Sequence, residues 1–418
     1  MQTMPDTPNL SIAIIGAGPG GYAAAFLAAD LGLKVTLIDP EINPGGVCLY
    51  RGCIPSKSLL HVSHLIDESQ QSKNWGVTFA PPQIEIAQLR AWKDGVIKKL
   101  TGGLGILARQ RKVEYIQGRA AFDTSNTLRI SKSDKSEETR TFDRIIIATG
   151  SRPATVHKLQ LDSPRILDST SALDLADVPS SLLVIGGGYI GLELGTVYAT
   201  LGSKVSVVEM LPGLLPGADR DLVLPLHKRL EKLFEAILLN TTVAAIKEES
   251  NGIRVTFAPA PDSNSNSQAT APAEKLFDKV LISVGRKPNS EIPGLDKTHV
   301  QVNPRGFITV NKQLQTADPS IYAIGDVAGE PMLAHKAMHE GRTAVEAIAG
   351  HKVAFEPYAI PAVVFTDPEI AWAGLTETQA KDQNREVTVA KFPWGASGRA
   401  MTIDRPEGMT KFLIDPTT

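Results

Sequence analysis

Apolar positions in this chain gather in short unbroken runs separated by glycine-rich turns. Residues 10–15, Leu-Ser-Ile-Ala-Ile-Ile, predict a buried strand. Gly16-Ala17-Gly18-Pro19-Gly20-Gly21 follows, and an alanine-rich stretch from about Gly21 to Leu31 predicts a helix. A second run, 34–38, ends at Asp39. The same order returns later. Residues 181–185 predict a strand, Gly186-Gly187-Gly188-Tyr189-Ile190-Gly191 a turn, and the residues through Leu201 a helix. The next run, 204–208, ends at Glu209. Continuous apolar runs of this length suit strands of a parallel sheet covered on both faces. Further strands are predicted over 144–148, 279–284 and 320–326, the last ending in Gly325-Asp326, with a helix from about Met332 to Ala349. Residues 131–140 read as a charged hairpin tip, and residues 258–274, rich in Pro, Ser, Asn and Ala, as a disordered loop.

Each repeated unit is a G-x-G-x-x-G between a strand and a helix, with an acid at the same offset. The first glycine (Gly16, Gly186) makes the tight turn. The second (Gly18, Gly188) lets a pyrophosphate approach the backbone, and the third (Gly21, Gly191) lets helix and strand pack closely. The helix N-terminus offers N–H groups and partial positive charge to phosphate. Asp39 and Glu209 are placed to bind adenosine ribose hydroxyls. One such motif alone is weak, whereas two in matching context point to two dinucleotides. Glu209 is followed by Met210 and Leu211, with no adjacent arginine for a 2′-phosphate, which favours NAD over NADP.

The chain has 418 residues and a formal charge of −2, so two or three domains are expected and no electrostatic footprint for nucleic acid or an anionic membrane. No apolar run reaches transmembrane length, and residues 1–9 are too short and polar for a signal peptide. Cys48 and Cys53, the only cysteines, share the run Gly45-Gly46-Val47-Cys48-Leu49-Tyr50-Arg51-Gly52-Cys53-Ile54-Pro55-Ser56-Lys57. A disulfide over so small a loop removes little unfolded-state entropy, roughly 2 kcal/mol, so redox chemistry explains the pair better than stability. Two thiols packed as small hydrophobes are the plainer reading. So few cysteines fit a reducing compartment, the cytoplasm or an organelle matrix.

Together, the two glycine units, the C-x4-C, the Ala148-Thr149-Gly150 turn and the late Gly325-Asp326 strand resemble the pyridine nucleotide–disulfide oxidoreductases over nearly the whole chain. The run from Gly45 to Lys57, Ala334-His335-Lys336-Ala337 and Ile360-Pro361-Ala362-Val363-Val364-Phe365-Thr366-Asp367-Pro368-Glu369 match the lipoamide branch. The resemblance implies an α/β fold of two Rossmann-like FAD- and NAD(P)-binding domains and a partial α+β interface domain at the C-terminus. The FAD-binding domain takes 1–152 and 284–351, the NAD-binding domain 153–283, and an incomplete dimerisation domain 356–418.

It also implies an activity: electrons pass from dihydrolipoamide to a Cys48–Cys53 disulfide, then to FAD, then to NAD. Cys48 exchanges with the dithiol, and Cys53 delivers electrons to the flavin. Lys57 sits near flavin N5 and pairs with Glu193, the residue after Leu192. Read without the family, these two are a solvated helix cation and an ordinary exposed glutamate. Gly16, Gly18, Gly21, Asp39, Gly118, Thr149, Gly150 and Asp326 belong to FAD, with the helix opening near Met332, Leu333, Ala334 and His335 aimed at the flavin pyrimidine edge. Gly186, Gly188, Gly191, Glu209, Val243 and Gly285 line the NAD site. No metal is implied. His61, His64, His339 and His351 read as surface or packing residues. The partners implied are a second copy of the chain and the lipoyl domain of a 2-oxo acid dehydrogenase or glycine cleavage complex.

The family's interface domain ends in a His-x-His-Pro-Thr run with a downstream Glu, the acid–base for the dithiol. No stretch of this chain, which ends at Thr418, matches that run. The expectation is weak or no lipoamide activity and a compromised dimer. The alternatives are a mercuric reductase-like enzyme of the same fold, disfavoured by Glu209, and a turnover-deficient FAD-binding component.

Overall fold

The computed structural model describes residues 10–261 and 272–418. Residues 1–9 and most of the 258–274 loop therefore lie outside the described residues. Within the described part, the chain folds into two compact units. One comprises residues 10–55, Ala91–Pro153 and Arg286–Pro357, and the other Ser56–Arg90, 154–285 and Tyr358–Thr418.

The first unit is built on a seven-stranded sheet. Its order is Ile321–Ala323, Arg144–Ile147, Ser11–Ile15, Lys34–Asp39, Glu114–Phe122, Thr127–Lys132 and Glu137–Thr141. The first five strands run parallel, and the last two add an antiparallel hairpin. Helix Pro19–Asp30 packs on one face of the sheet. Its small residues let helix Ala334–Ile348 approach closely: a Cβ on Gly341 would lie 2.7 Å from the Gly20 carbonyl oxygen. Two apolar clusters fill this unit, one with Ile12, Ile14 and Ala24, the other with Ala13, Ile38 and Ile145.

The second unit repeats the plan with five parallel strands, Ala236–Leu238, Lys204–Val208, Ser181–Ile185, Lys279–Ile282 and Ile166–Leu167. A three-stranded antiparallel sheet, Thr241–Glu249, Gly252–Pro259 and Glu274–Phe277, stands beside it. Tyr358–Thr418 groups with this unit and contributes two strand pairs, Ala362–Val364 with Ile370–Trp372 and Thr388–Pro393 with Met409–Ile414. Val364 and Ile370 are buried in the same cluster as Leu59, Leu192 and Leu281.

Ser11–Ile15 has Lys34–Asp39 on one side and Arg144–Ile147 on the other. Ser181–Ile185 is flanked in the same way by Lys204–Val208 and Lys279–Ile282. Each glycine loop therefore leaves the carboxyl end of its strand where the order of connections reverses, the place where open α/β sheets bind ligands. Among the described residues, no helix is long and apolar enough to cross a membrane.

Candidate active site

The two glycine loops are built alike. Gly16 and Gly186 take φ of +101° and +107°, a region that favours glycine. Their N–H groups donate to Ile38 O at 2.8 Å and Val208 O at 2.9 Å. A Cβ on Gly21 would stand 1.8 Å from Gly16 O, and one on Gly191 would stand 2.3 Å from Gly186 O. The middle glycines are different. Around a Cβ at Gly188 there is nothing within 4 Å, and at Gly18 the nearest atom is Gly46 Cα at 3.9 Å. Both cap a twelve-residue helix whose first turn carries no side-chain cap. Open space facing uncapped N–H groups fits a pyrophosphate.

The acids brace these loops. Asp39 Oδ2 accepts from Ala17 N–H at 2.7 Å and Oδ1 from Glu41 N–H at 2.9 Å. Glu209 Oε2 accepts from Gly187 N–H at 2.7 Å and Oε1 from Leu211 N–H at 2.8 Å. Each carboxylate keeps further lone pairs for ribose hydroxyls. Burial pushes the Asp39 carboxyl above its usual range, against the lowering effects of the Ala17 N–H, Arg51 and Arg119.

The cysteine segment is strapped to the first loop. Gly45 N–H donates to Ala17 O at 2.8 Å, and a Cβ on Gly46 would fall 2.4 Å from Gly18 Cα. This close approach accounts for Gly45-Gly46 ahead of the cysteines. Helix Gly46–Arg51 carries the half-buried Cys48, and the exposed Cys53 opens helix Cys53–Gln71. A helix N-terminus stabilises a thiolate. Burial first, then the neighbouring Cys48 and Cys53, pushes the phenol of Tyr22, in helix Pro19–Asp30, up to about 12.

Lys57 and Glu193 meet within the second unit. Lys57 Nζ lies 2.8 Å from Glu193 Oε2 and 3.1 Å from Oε1. Ser56 Oγ donates to Oε2 at 2.7 Å, and Phe365 N–H to Oε1 at 3.0 Å. The Glu193 side chain is 4% exposed, so the reading of it as an ordinary surface glutamate does not hold. Ser56 belongs to the cysteine run, but its bond to Glu193 spans 137 residues and Phe365's spans 172, and no local pattern signals either.

In the first unit, Asp326 accepts from Ser151 Oγ at 2.5 Å, and Ser151 Oγ accepts from Arg286 Nε at 2.7 Å. The neighbouring Gly325 N–H donates to Glu340 Oε2 at 2.7 Å. Glu340 pairs with Lys336 at 2.8 Å, both side chains buried. Burial pushes the Glu340 carboxyl up, and Lys336 opposes the shift. The Lys336/Glu340 pair has i,i+4 helical spacing, a visible signal, but nothing local shows that it is buried.

Other expected residues are placed as follows. Thr149 Oγ1 donates to Asn289 O at 2.8 Å, and Gly150 O accepts from Asn289 N–H at 2.9 Å. Gly118 lies in Glu114–Phe122 tight against the Ser131–Lys132 backbone. Leu333 caps helix Ala334–Ile348, so Met332 precedes the helix and Ala334 and His335 open it. Val243 sits at a bulge in Thr241–Glu249, and Gly285 takes φ of +118° with open space around it. His61, His64, His339 and His351 are all exposed.

Residues 10–341 match the family described as pyridine nucleotide-disulphide oxidoreductase, and residues 360–418 match the dimerisation domain of that family. The chain is 46% identical over 407 residues to a dihydrolipoyl dehydrogenase of Haemophilus influenzae, covering 97% of this chain and 83% of that one. It is 45% identical over 401 residues to a dihydrolipoyl dehydrogenase of Geobacillus stearothermophilus, with 96% and 83% covered. Among solved structures, LpdA from Mycobacterium tuberculosis superposes with a TM-score of 0.86 at 26% identity, covering 97% of this chain and 86% of that one. The HOCl-induced flavoprotein disulfide reductase RclA from Escherichia coli gives 0.82 at 26% identity, with 98% and 87% covered.

Proposed function

The chain belongs to the pyridine nucleotide-disulphide oxidoreductase family, and from that membership we propose that it oxidises dihydrolipoamide to lipoamide while reducing NAD+ to NADH. It is a flavoprotein disulfide oxidoreductase that uses FAD and NAD. The observation carrying the proposal is the C-x4-C segment held against the first glycine loop through Gly45 and Gly46.

Bound FAD would supply the two-electron carrier between dithiol and NAD+. The residues of the chain divide the remaining work. A thiolate of the incoming dithiol attacks Cys48 of the Cys48–Cys53 disulfide and expels Cys53 as a thiolate, which its helix N-terminus favours; the second substrate thiol then displaces Cys48 and leaves as lipoamide. Lys57, held by Glu193, places a cation at the flavin edge. Gly16, Gly18 and Gly21 receive the FAD pyrophosphate, with Asp39 at the ribose. Gly118, Thr149 and Gly150 flank the adenine end. Asp326, oriented by Ser151, holds the ribityl side, and the N-terminus of helix Ala334–Ile348 favours negative charge at the pyrimidine edge. Gly186, Gly188, Gly191, Glu209, Val243 and Gly285 receive NAD. Two copies associate through residues 360–418, and the dithiol arrives on a lipoyl domain.

Anaerobic addition of dihydrolipoamide to FAD-loaded protein, without NAD+, tests this reading. A long-wavelength thiolate-to-flavin charge-transfer band is expected. Bound flavin that keeps its oxidised spectrum would sink the lipoamide assignment.

A further inference from the structure

The Glu193 carboxylate is gripped from three directions, and one of them comes from the segment matched as a dimerisation domain. Glu193 lies in helix Tyr189–Thr200, and Ser56 and Lys57 in helix Cys53–Gln71. The third donor, the Phe365 N–H, immediately follows strand Ala362–Val364. That strand is fixed by Val364, buried in the core cluster with Leu59, Leu60 and Leu192. Phe365 acts a second time: its ring lies 4.6 Å from Lys57 Nζ, in cation–π position. Phe365 is 38% exposed, too much for its main role to be core packing, and the lysine side chain its ring faces is 33% exposed.

We propose that Phe365 is a positioning residue for the reaction: its N–H fixes Glu193 and its ring fixes the Lys57 ammonium, so that the seating of strand Ala362–Val364 sets the charge the pair presents to the flavin. The segment that associates with a second copy thereby also tunes electron transfer within its own chain. This rests on the reading that Lys57 acts on the flavin, and the test separates the two.

The midpoint potential and visible spectrum of bound flavin are measured in the FAD-loaded protein, in Lys57→Gln, Phe365→Leu, Phe365→Tyr and the double variant Phe365→Leu/Lys57→Gln. Phe365→Leu should shift the potential in the same direction as Lys57→Gln, by less. Phe365→Tyr, which keeps the aromatic face, should restore it. The double variant should match Lys57→Gln alone, because the ring acts through the ammonium. A Phe365→Leu potential equal to that of the unaltered protein, beside a shifted Lys57→Gln, overturns the proposal and leaves the function standing. Additive shifts in the double variant overturn it as well. An unshifted Lys57→Gln removes the lysine's role and the proposal with it. If Phe365→Leu does not load flavin, Phe365→Met, also without an aromatic face, replaces it in the cycle.

Discussion

Gly188 and Gly191, three residues apart, separate ligand recognition from folding. An alanine Cβ at 191 would meet Gly186 O at 2.3 Å and Ser283 Oγ at 2.6 Å, and the cost of forcing it in is about 1–3 kcal/mol. A Cβ at 188 meets nothing within 4 Å, but it would occupy the space a pyrophosphate needs. Gly191→Ala should therefore lower the melting temperature and weaken NAD+ binding together. Gly188→Ala should keep the melting temperature while raising the Kd for NAD+ about tenfold or more, equivalent to about 1.4 kcal/mol. Thermal melts beside calorimetric titrations distinguish the two, and equal losses of stability would contradict the assignment. The motif is legible in the sequence because three independent constraints coincide in each copy: a buried run, glycine spacing and an acid at fixed offset. The role of the acids in bracing the loops is not. A carboxylate that accepts an N–H bond from a glycine loop 22 residues away looks, in sequence, like one reserved for a ribose.

Strand Met409–Ile414 shows how an element is anchored by charge. Lys411, with its side chain 3% exposed, meets Asp219 at 2.8 Å, Asp221 at 3.0 Å and Glu377. The three carboxylates also lie close to one another, and the ammonium between them offsets their repulsion. Burial alone would push the lysine's pKa down, but its bonds to Asp219, Glu377 and Asp221 outweigh burial and raise it. Its contribution is thus full below the ordinary lysine pKa and is lost only as pH rises through the higher folded value. For Asp221, burial raises the pKa, and Lys391 and Lys411 more than reverse that. Its contribution is present above the ordinary carboxylate range and lost as pH falls below it. Lys411→Met should cost about 3–5 kcal/mol near neutral pH, by taking the ammonium away from the buried Asp219 carboxylate, while Asp221 and Glu377 keep Lys391. The deficit should shrink in acid as Asp221, whose carboxyl the lysines hold below its ordinary range, protonates. Melting curves of both proteins at pH 7 and in mild acid check this, and a deficit independent of pH would contradict it. For this part of the chain the sequence pattern marks only a partial α+β domain. It does not mark this anchorage, since Asp219 and Lys411 are 192 positions apart.

At the scale of the whole molecule, four apolar clusters among the described residues each draw their members from a single unit, two in the first and two in the second. Each unit holds its own glycine loop, built from its own residues. Unfolding should then depart from a single two-state transition. FAD should stabilise the first unit and NAD+ the second, each by about 4 kcal/mol at a thousandfold excess over its Kd. Scanning calorimetry with each ligand alone reads this directly, and one transition moved equally by both ligands would refute it. The order of synthesis adds a constraint on when the Lys57–Glu193 pair matures. Glu193 is translated 172 residues before Phe365. At about 5–20 residues per second, roughly 10–35 s pass on the ribosome before the last donor to that carboxylate exists. A nascent chain that has made Lys57 and Glu193 therefore still lacks the third grip on that carboxylate, and the pair is completed only once Phe365 has been added.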